Sequence, residues 1–131
     1  MLVRGVMNVI FVEEVAGEYA AVGELVRNAG HMVQVVSFEQ ARATIERELP
    51  DVSVVGCRKN SATILPFAKL LRSLEDSATY RTLIAIVEDE TLETRRIPNQ
   101  EPADDILFSS ASPGEIVTHV RSCVRIVSLE R

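Results

Sequence analysis

The chain has 131 residues, 47% of them hydrophobic and 25% charged, with a net charge of -5. That length fits one domain with a core of its own, and the composition is that of a globular domain, not a membrane-spanning or disordered one. The acidic balance argues against direct nucleic-acid binding, which needs a Lys/Arg patch to displace counterions from phosphates; Cys57 and Cys123, far apart and in no CxxC pattern, suit core thiols in a reducing cytoplasm.

Val9-Ile10-Phe11-Val12 reads as a buried strand stopped by Glu13-Glu14. From Glu18 to Ala29 the apolar positions Val22, Leu25, Val26 and Ala29 recur at helical spacing, and Gly30 follows as a stop. Met32 to Val36 is a second strand. Ser37 with Gln40 three residues on predicts a capping box opening a helix whose Phe38, Ala41, Ile45 and Leu49 face the sheet, with Pro50 ending it. Pro50 to Cys57 then carries a short continuous apolar run, the pattern of a central strand covered on both faces.

A polar loop, Arg58 to Thr63, precedes a third helix with Pro66 near its first turn and Phe67, Leu70, Leu71 and Leu74 on one face. Leu83 to Val87 is a fourth strand. Glu88 to Pro102 is strongly charged and holds Pro98, which predicts a short or irregular fourth helix. Ile106-Leu107-Phe108 is a short fifth strand. Ser112, Pro113 and Glu115 then supply an N-cap, a first-turn proline and a capping-box acid for a last helix carrying Ile116, Val120, Val124 and Val127.

Five strands alternating with helices predict a three-layer α/β/α domain, a parallel sheet with right-handed crossovers and the flavodoxin-like order 2-1-3-4-5. In that order the first and third strands adjoin at the switch point, so Glu13 and Glu14 come beside Gly56, with Val87, Glu88 and Ser109 around them. His31 and His119 have no second metal ligand nearby in sequence and suit a turn and a helix surface; Asp89 and Asp105 suit surface or cap positions. No Ser/His/Asp ordering, Gly-rich phosphate loop or metal-ligand cluster is present, so no enzymatic activity is expected. A flavodoxin-like cofactor domain would need a hydroxyl-rich phosphate loop after the first strand, where this chain has two acids.

The residues resemble the receiver domains of bacterial response regulators, the phosphorelay modules of two-component systems, over nearly the whole chain. Val9 to Glu14 is similar to that family's first strand and acidic pair, and Ala29-Gly30-His31 to its frequent Ala-Gly-His. Pro50 to Gly56 resembles the strand that ends in the phosphorylated Asp. Ala103-Asp104-Asp105-Ile106-Leu107 resembles the fifth strand, and Ser112-Pro113-Gly114-Glu115-Ile116 the start of the last helix.

The resemblance implies a site in which an acid pair holds Mg²⁺, an Asp accepts the phosphoryl group, a Thr or Ser binds it and a Lys pairs with it. Here the Asp position carries Gly56, which offers no nucleophile. The hydroxyl position falls on Val87, or on Glu88 if the strand shifts by one; the Lys position falls on Ser109, followed by Ser110 where a proline is usual, and the aromatic switch position is Ile106. Only Glu13 and Glu14 keep the character of the site, as weak Mg²⁺ ligands or as solvated acids. Asp51 lies at the wrong end of its strand to replace the acceptor.

The expectation is a degenerate pseudo-receiver over 1–131, part of a longer regulator. It would act by protein-protein contact, as a dimerising or docking module for an attached output domain, with no membrane attachment. The contact face implied by the resemblance is made by the fourth helix, the fifth strand and the last helix, carrying Arg95 and Arg96 against Asp104 and Asp105, with Arg121 and Arg125. The alternative is a small-molecule or divalent-metal sensor that uses the space vacated beside Gly56, anchored by Glu13, Glu14 and Ser109. Phosphorylation at an unconventional site is a third.

Overall fold

The computed structural model describes residues 6–57, 64–74, 81–87, 104–108 and 111–130. Their elements follow one another as β1 (Asn8–Glu13), α1 (Ala20–Asn28), β2 (Met32–Ser37), α2 (Phe38–Glu48), β3 (Val52–Cys57), α3 (Ile64–Leu74), β4 (Thr82–Val87), β5 (Asp105–Phe108) and α4 (Pro113–Glu130). All strand pairings are parallel, in the order β2-β1-β3-β4-β5. The expected fourth helix falls within 88–102, outside the described residues.

The period of two along each strand divides the core into two apolar layers. Val9, Phe11, Val52, Val54, Ile84, Ile86 and Leu107 point to one face, where α1 contributes Val22 and Val26 and α4 contributes Ile116, Val120, Cys123 and Val127. Ile10, Val12, Val55, Leu83 and Ala85 point to the other, against Ala41 and Ile45 of α2 and Ala68 and Leu71 of α3. Strands buried on both sides have no polar face to alternate with, which is why their sequences are near-continuous apolar runs.

Local departures from the sequence expectations have local causes. Helix α1 begins at Ala20 instead of Glu18, because the preceding residues form turns closed by Glu18 N to Val15 O (3.1 Å) and Ala20 N to Gly17 O (3.2 Å). Leu25, expected on the buried stripe, is 46% exposed: Val22 and Val26 are enough to cover the sheet edge. Ser37 makes no side-chain capping bond, so the first expected capping box is absent. Leu49, expected to face the sheet, is instead exposed in the left-handed conformation (φ 49°) that reverses the chain before Pro50. The second capping box forms in both directions, Glu115 N to Ser112 Oγ (3.2 Å) and Ser112 N to Glu115 Oε1 (3.3 Å).

The amino-terminal ends of the strands are fastened by charge. Asp51 accepts from Asn8 N at 2.8 Å, while Arg81, nearly buried, donates to the carbonyls of Leu49 (2.6 Å) and Pro50 (3.0 Å). His31 Nδ1 accepts from Met7 N at 3.2 Å, and burial lowers the imidazole's pKa from its ordinary 6.5, in keeping with an acceptor nitrogen. These contacts tie the starts of β1, β2, β3 and β4 to one another.

Candidate functional site

The carboxyl ends of β1, β3 and β4 meet at one edge. Val12 lies opposite Val55, Gly56 opposite Ile86 and Cys57 opposite Val87, while Ile106 of β5 lies opposite Ala85 of β4. The topology therefore brings Glu13, Gly56 and the backbone of Val87 together, as the strand order required. Ser109, Glu88, Arg95 and Arg96 lie outside the described residues.

Gly56 is fully covered, and the group that covers it is Tyr19. A β-carbon built at position 56 would stand 2.9 Å from both Cε2 and Cζ of the Tyr19 ring and closer still to its hydroxyl oxygen. Real β-carbons do not approach other atoms so closely, so glycine is the residue this packing admits. Tyr19 is only 4% exposed and its ring leans on Phe11, centroids 5.9 Å apart and planes tilted 39°. The Tyr19 ring thus occupies part of the space expected to be vacant beside Gly56. What is left is a recess of about 130 Å³ between Glu18, Tyr19 and Val22 on one side and Ile86, Ala111, Pro113 and Ile116 on the other.

Tyr19 was not among the residues singled out by sequence, yet a signal for it exists. It stands three residues before Val22 and seven before Val26, in phase with the buried stripe of α1. Reading the helix from Glu18 with Leu25 on its inner face hid that phase.

Glu13 shapes the loop that carries Tyr19. Its Oε1 accepts from Gly17 N at 2.9 Å and its Oε2 from Tyr19 N at 3.1 Å, so both carboxylate oxygens are engaged by backbone amides. Gly17 takes φ +85°, a left-handed turn at which other residues would be strained. Glu14, next in sequence, is half-buried in the same loop. Gly56 supplies no side-chain oxygen, both Glu13 oxygens accept from backbone amides, and among the described residues no three His, Cys, Asp or Glu side chains converge.

The other candidate residues lie elsewhere. Asp104 Oδ2 accepts from Leu83 N (2.7 Å) and from Arg72 Nη2 (2.8 Å), joining the starts of β4 and β5 to the end of α3. Asp105 pairs with His119 Nδ1 on α4. Both aspartates, expected to face Arg95 and Arg96, have partners within the domain. Arg121 and Arg125 are exposed one turn apart on α4. Cys123 is buried in the core; burial is the main cause that raises its pKa to about 11, so it is an unreactive thiol. A groove of about 310 Å³ lies at the opposite end of the sheet between β1, β2 and the end of α2.

No family model and no curated protein matches the sequence. Among solved structures, the chain is similar to a CheY-like response regulator receiver domain protein from Methanospirillum hungatei JF-1, with a TM-score of 0.77 at 12% identity over 96% of this chain and 99% of that one. It is also similar to the signal receiver domain of a modulated diguanylate cyclase from Desulfovibrio desulfuricans G20 (0.71, 17%, 96% and 99%) and to a DNA-binding response regulator of the LuxR family from Staphylococcus aureus (0.73, 15%, 91% and 99%). At these identities the likeness is one of fold: the chain has the receiver fold, over almost its whole length.

Proposed function

We propose that the protein is a signal-transduction module of the receiver type that works by protein-protein contact and is not switched by aspartyl phosphorylation. The observation that carries this is the Tyr19 ring on Gly56. Phosphoryl transfer needs an acceptor oxygen and positive charge around the equatorial oxygens. Here the acceptor position has no side chain, and the Tyr19 phenol stands where such a side chain would begin. The sequence replaces the hydroxyl and lysine positions as well, with Val87 or Glu88 and with Ser109.

A receiver-type fold without its chemistry still offers surfaces. The starts of β5 and α4, with Arg121 and Arg125 exposed along the helix, form the described part of the contact face expected from the resemblance. A partner protein, a second copy of the chain or an attached output domain would dock there. Mg²⁺ with acetyl phosphate, followed by intact mass, tests the proposal, as does beryllofluoride followed by amide NMR. The expected result is no mass gain and no shifts around Gly56; a stoichiometric aspartyl phosphate, or saturable fluoride-induced shifts there, would sink it.

A further inference from the structure

Resting on the function proposed above, we infer that Tyr19, held by Glu13, is a built-in coupling element that takes over the place of a switchable group: it joins the β1–α1 loop to the start of α4 and keeps that face in one arrangement without any phosphoryl group.

Three independent contacts place the ring. From behind, both oxygens of Glu13 hold the loop by the amides of Gly17 and Tyr19. From below, Gly56 removes the side chain that would push the ring outward, and Phe11 supports its edge. In front, Tyr19 shares one buried cluster with Ile116, with Ala111 packed against it, and Glu18 faces Pro113 across the recess at which the chain enters α4. That entry is itself hydrogen-bonded, by Ala111 N to Phe108 O (2.9 Å), Ile116 N to Ser112 O (3.1 Å) and the Ser112–Glu115 box. Because Tyr19 and Ile116 belong to one buried cluster, a displacement of the β1–α1 loop reaches the start of α4 through that cluster, since a packed interior gives way only by rearranging.

The same geometry gives Glu13 a role unlike that of a metal ligand. Its carboxylate acts as a latch: with it, the tight turn through Gly17 stays closed and Tyr19 faces inward. Without it, two amides lose their acceptor and the turn loses its tether, while the ring itself stays chemically intact. Glu13 is therefore a positioning residue that acts through Tyr19.

Amide hydrogen exchange on the intact protein tests this, in the parent, Glu13→Ala and Tyr19→Phe. Glu13→Ala truncates no core side chain, so it reports on the latch while the fold is kept. The expected outcome is exchange about tenfold faster at Gly17 and Tyr19 in Glu13→Ala, accompanied by faster exchange at Ala111 and Ile116 on the far side of the ring. Tyr19→Phe, which keeps the ring, is expected to leave Ala111 and Ile116 as in the parent. Faster exchange confined to Gly17 and Tyr19, with Ala111 and Ile116 unchanged, would overturn the coupling. No phosphoryl donor enters this experiment, so its failure leaves the acetyl phosphate result standing, and the converse holds too.

Discussion

A β-carbon at position 56 would enter the Tyr19 ring, so restoring an acceptor takes more than one substitution. Gly56→Asp is expected to destabilise the domain by about 1–3 kcal/mol, as overpacking in a closed core does. Mass spectrometry of that variant with Mg²⁺ and acetyl phosphate is expected to show no phosphoryl adduct. Gly56→Asp is expected to cost less stability in a Tyr19→Ala background than in the parent, a double-mutant cycle read by urea melts; equal costs in the two backgrounds would show that the ring is not what excludes the side chain. A second residue gives a pH dependence. The folded-state pKa of His31 lies below its ordinary 6.5, so the unfolded chain binds the proton more tightly. Stability from this group is present above about pH 6.5 and is lost as pH falls through the lower folded value. Urea melts at pH 7 and pH 5 should show the parent losing more stability than His31→Gln over that interval; equal losses would remove His31 as the cause.

At the level of elements, the two serine caps make a matched pair. Ser112 and Glu115 exchange hydrogen bonds, whereas Ser37 with Gln40 three residues on has the same signature and makes no side-chain cap. Ser112→Ala is expected to cost about 0.5–2 kcal/mol, and Ser37→Ala less than about 0.5 kcal/mol, both measured by chemical denaturation. Equal costs would show that the local motif matters more than the geometry. The contrast also shows what was legible in the sequence. Strand positions and their order follow from apolar runs that only a doubly covered parallel sheet accommodates, and β3 with Gly56 at its end was readable residue by residue. Caps and the loop before α1 were less so. Whether Ser37 bonds forward depends on backbone angles fixed by β2 and α2, and where Tyr19 goes depends on Gly56, thirty-seven positions away. A glycine read alone signals missing chemistry; only the fold reveals that the vacancy is filled from another element.

For the whole molecule, the decisive question is which charges hold the domain together and which are presented outward. Asp104 is bound to Leu83 N and Arg72 across three elements, and Asp105 to His119, although the resemblance implies a contact face that carries both aspartates. Arg121 and Arg125 lie exposed on α4, a cationic pair suited to an acidic partner surface. The two groups should therefore separate experimentally. Asp104→Ala is expected to lower the unfolding free energy by about 1.5–3 kcal/mol, the range for hydrogen bonds to a charged group, and to leave sedimentation behaviour unchanged. Arg121→Glu with Arg125→Glu is expected to change stability by less than about 0.5 kcal/mol, as exposed substitutions do. The double reversal should alter whatever association the parent shows in sedimentation equilibrium at low salt, where exposed charges are least screened. If Asp104→Ala disrupts association while the double reversal does not, the outward face has been assigned to the wrong charges and the interaction surface must lie on another side of the sheet.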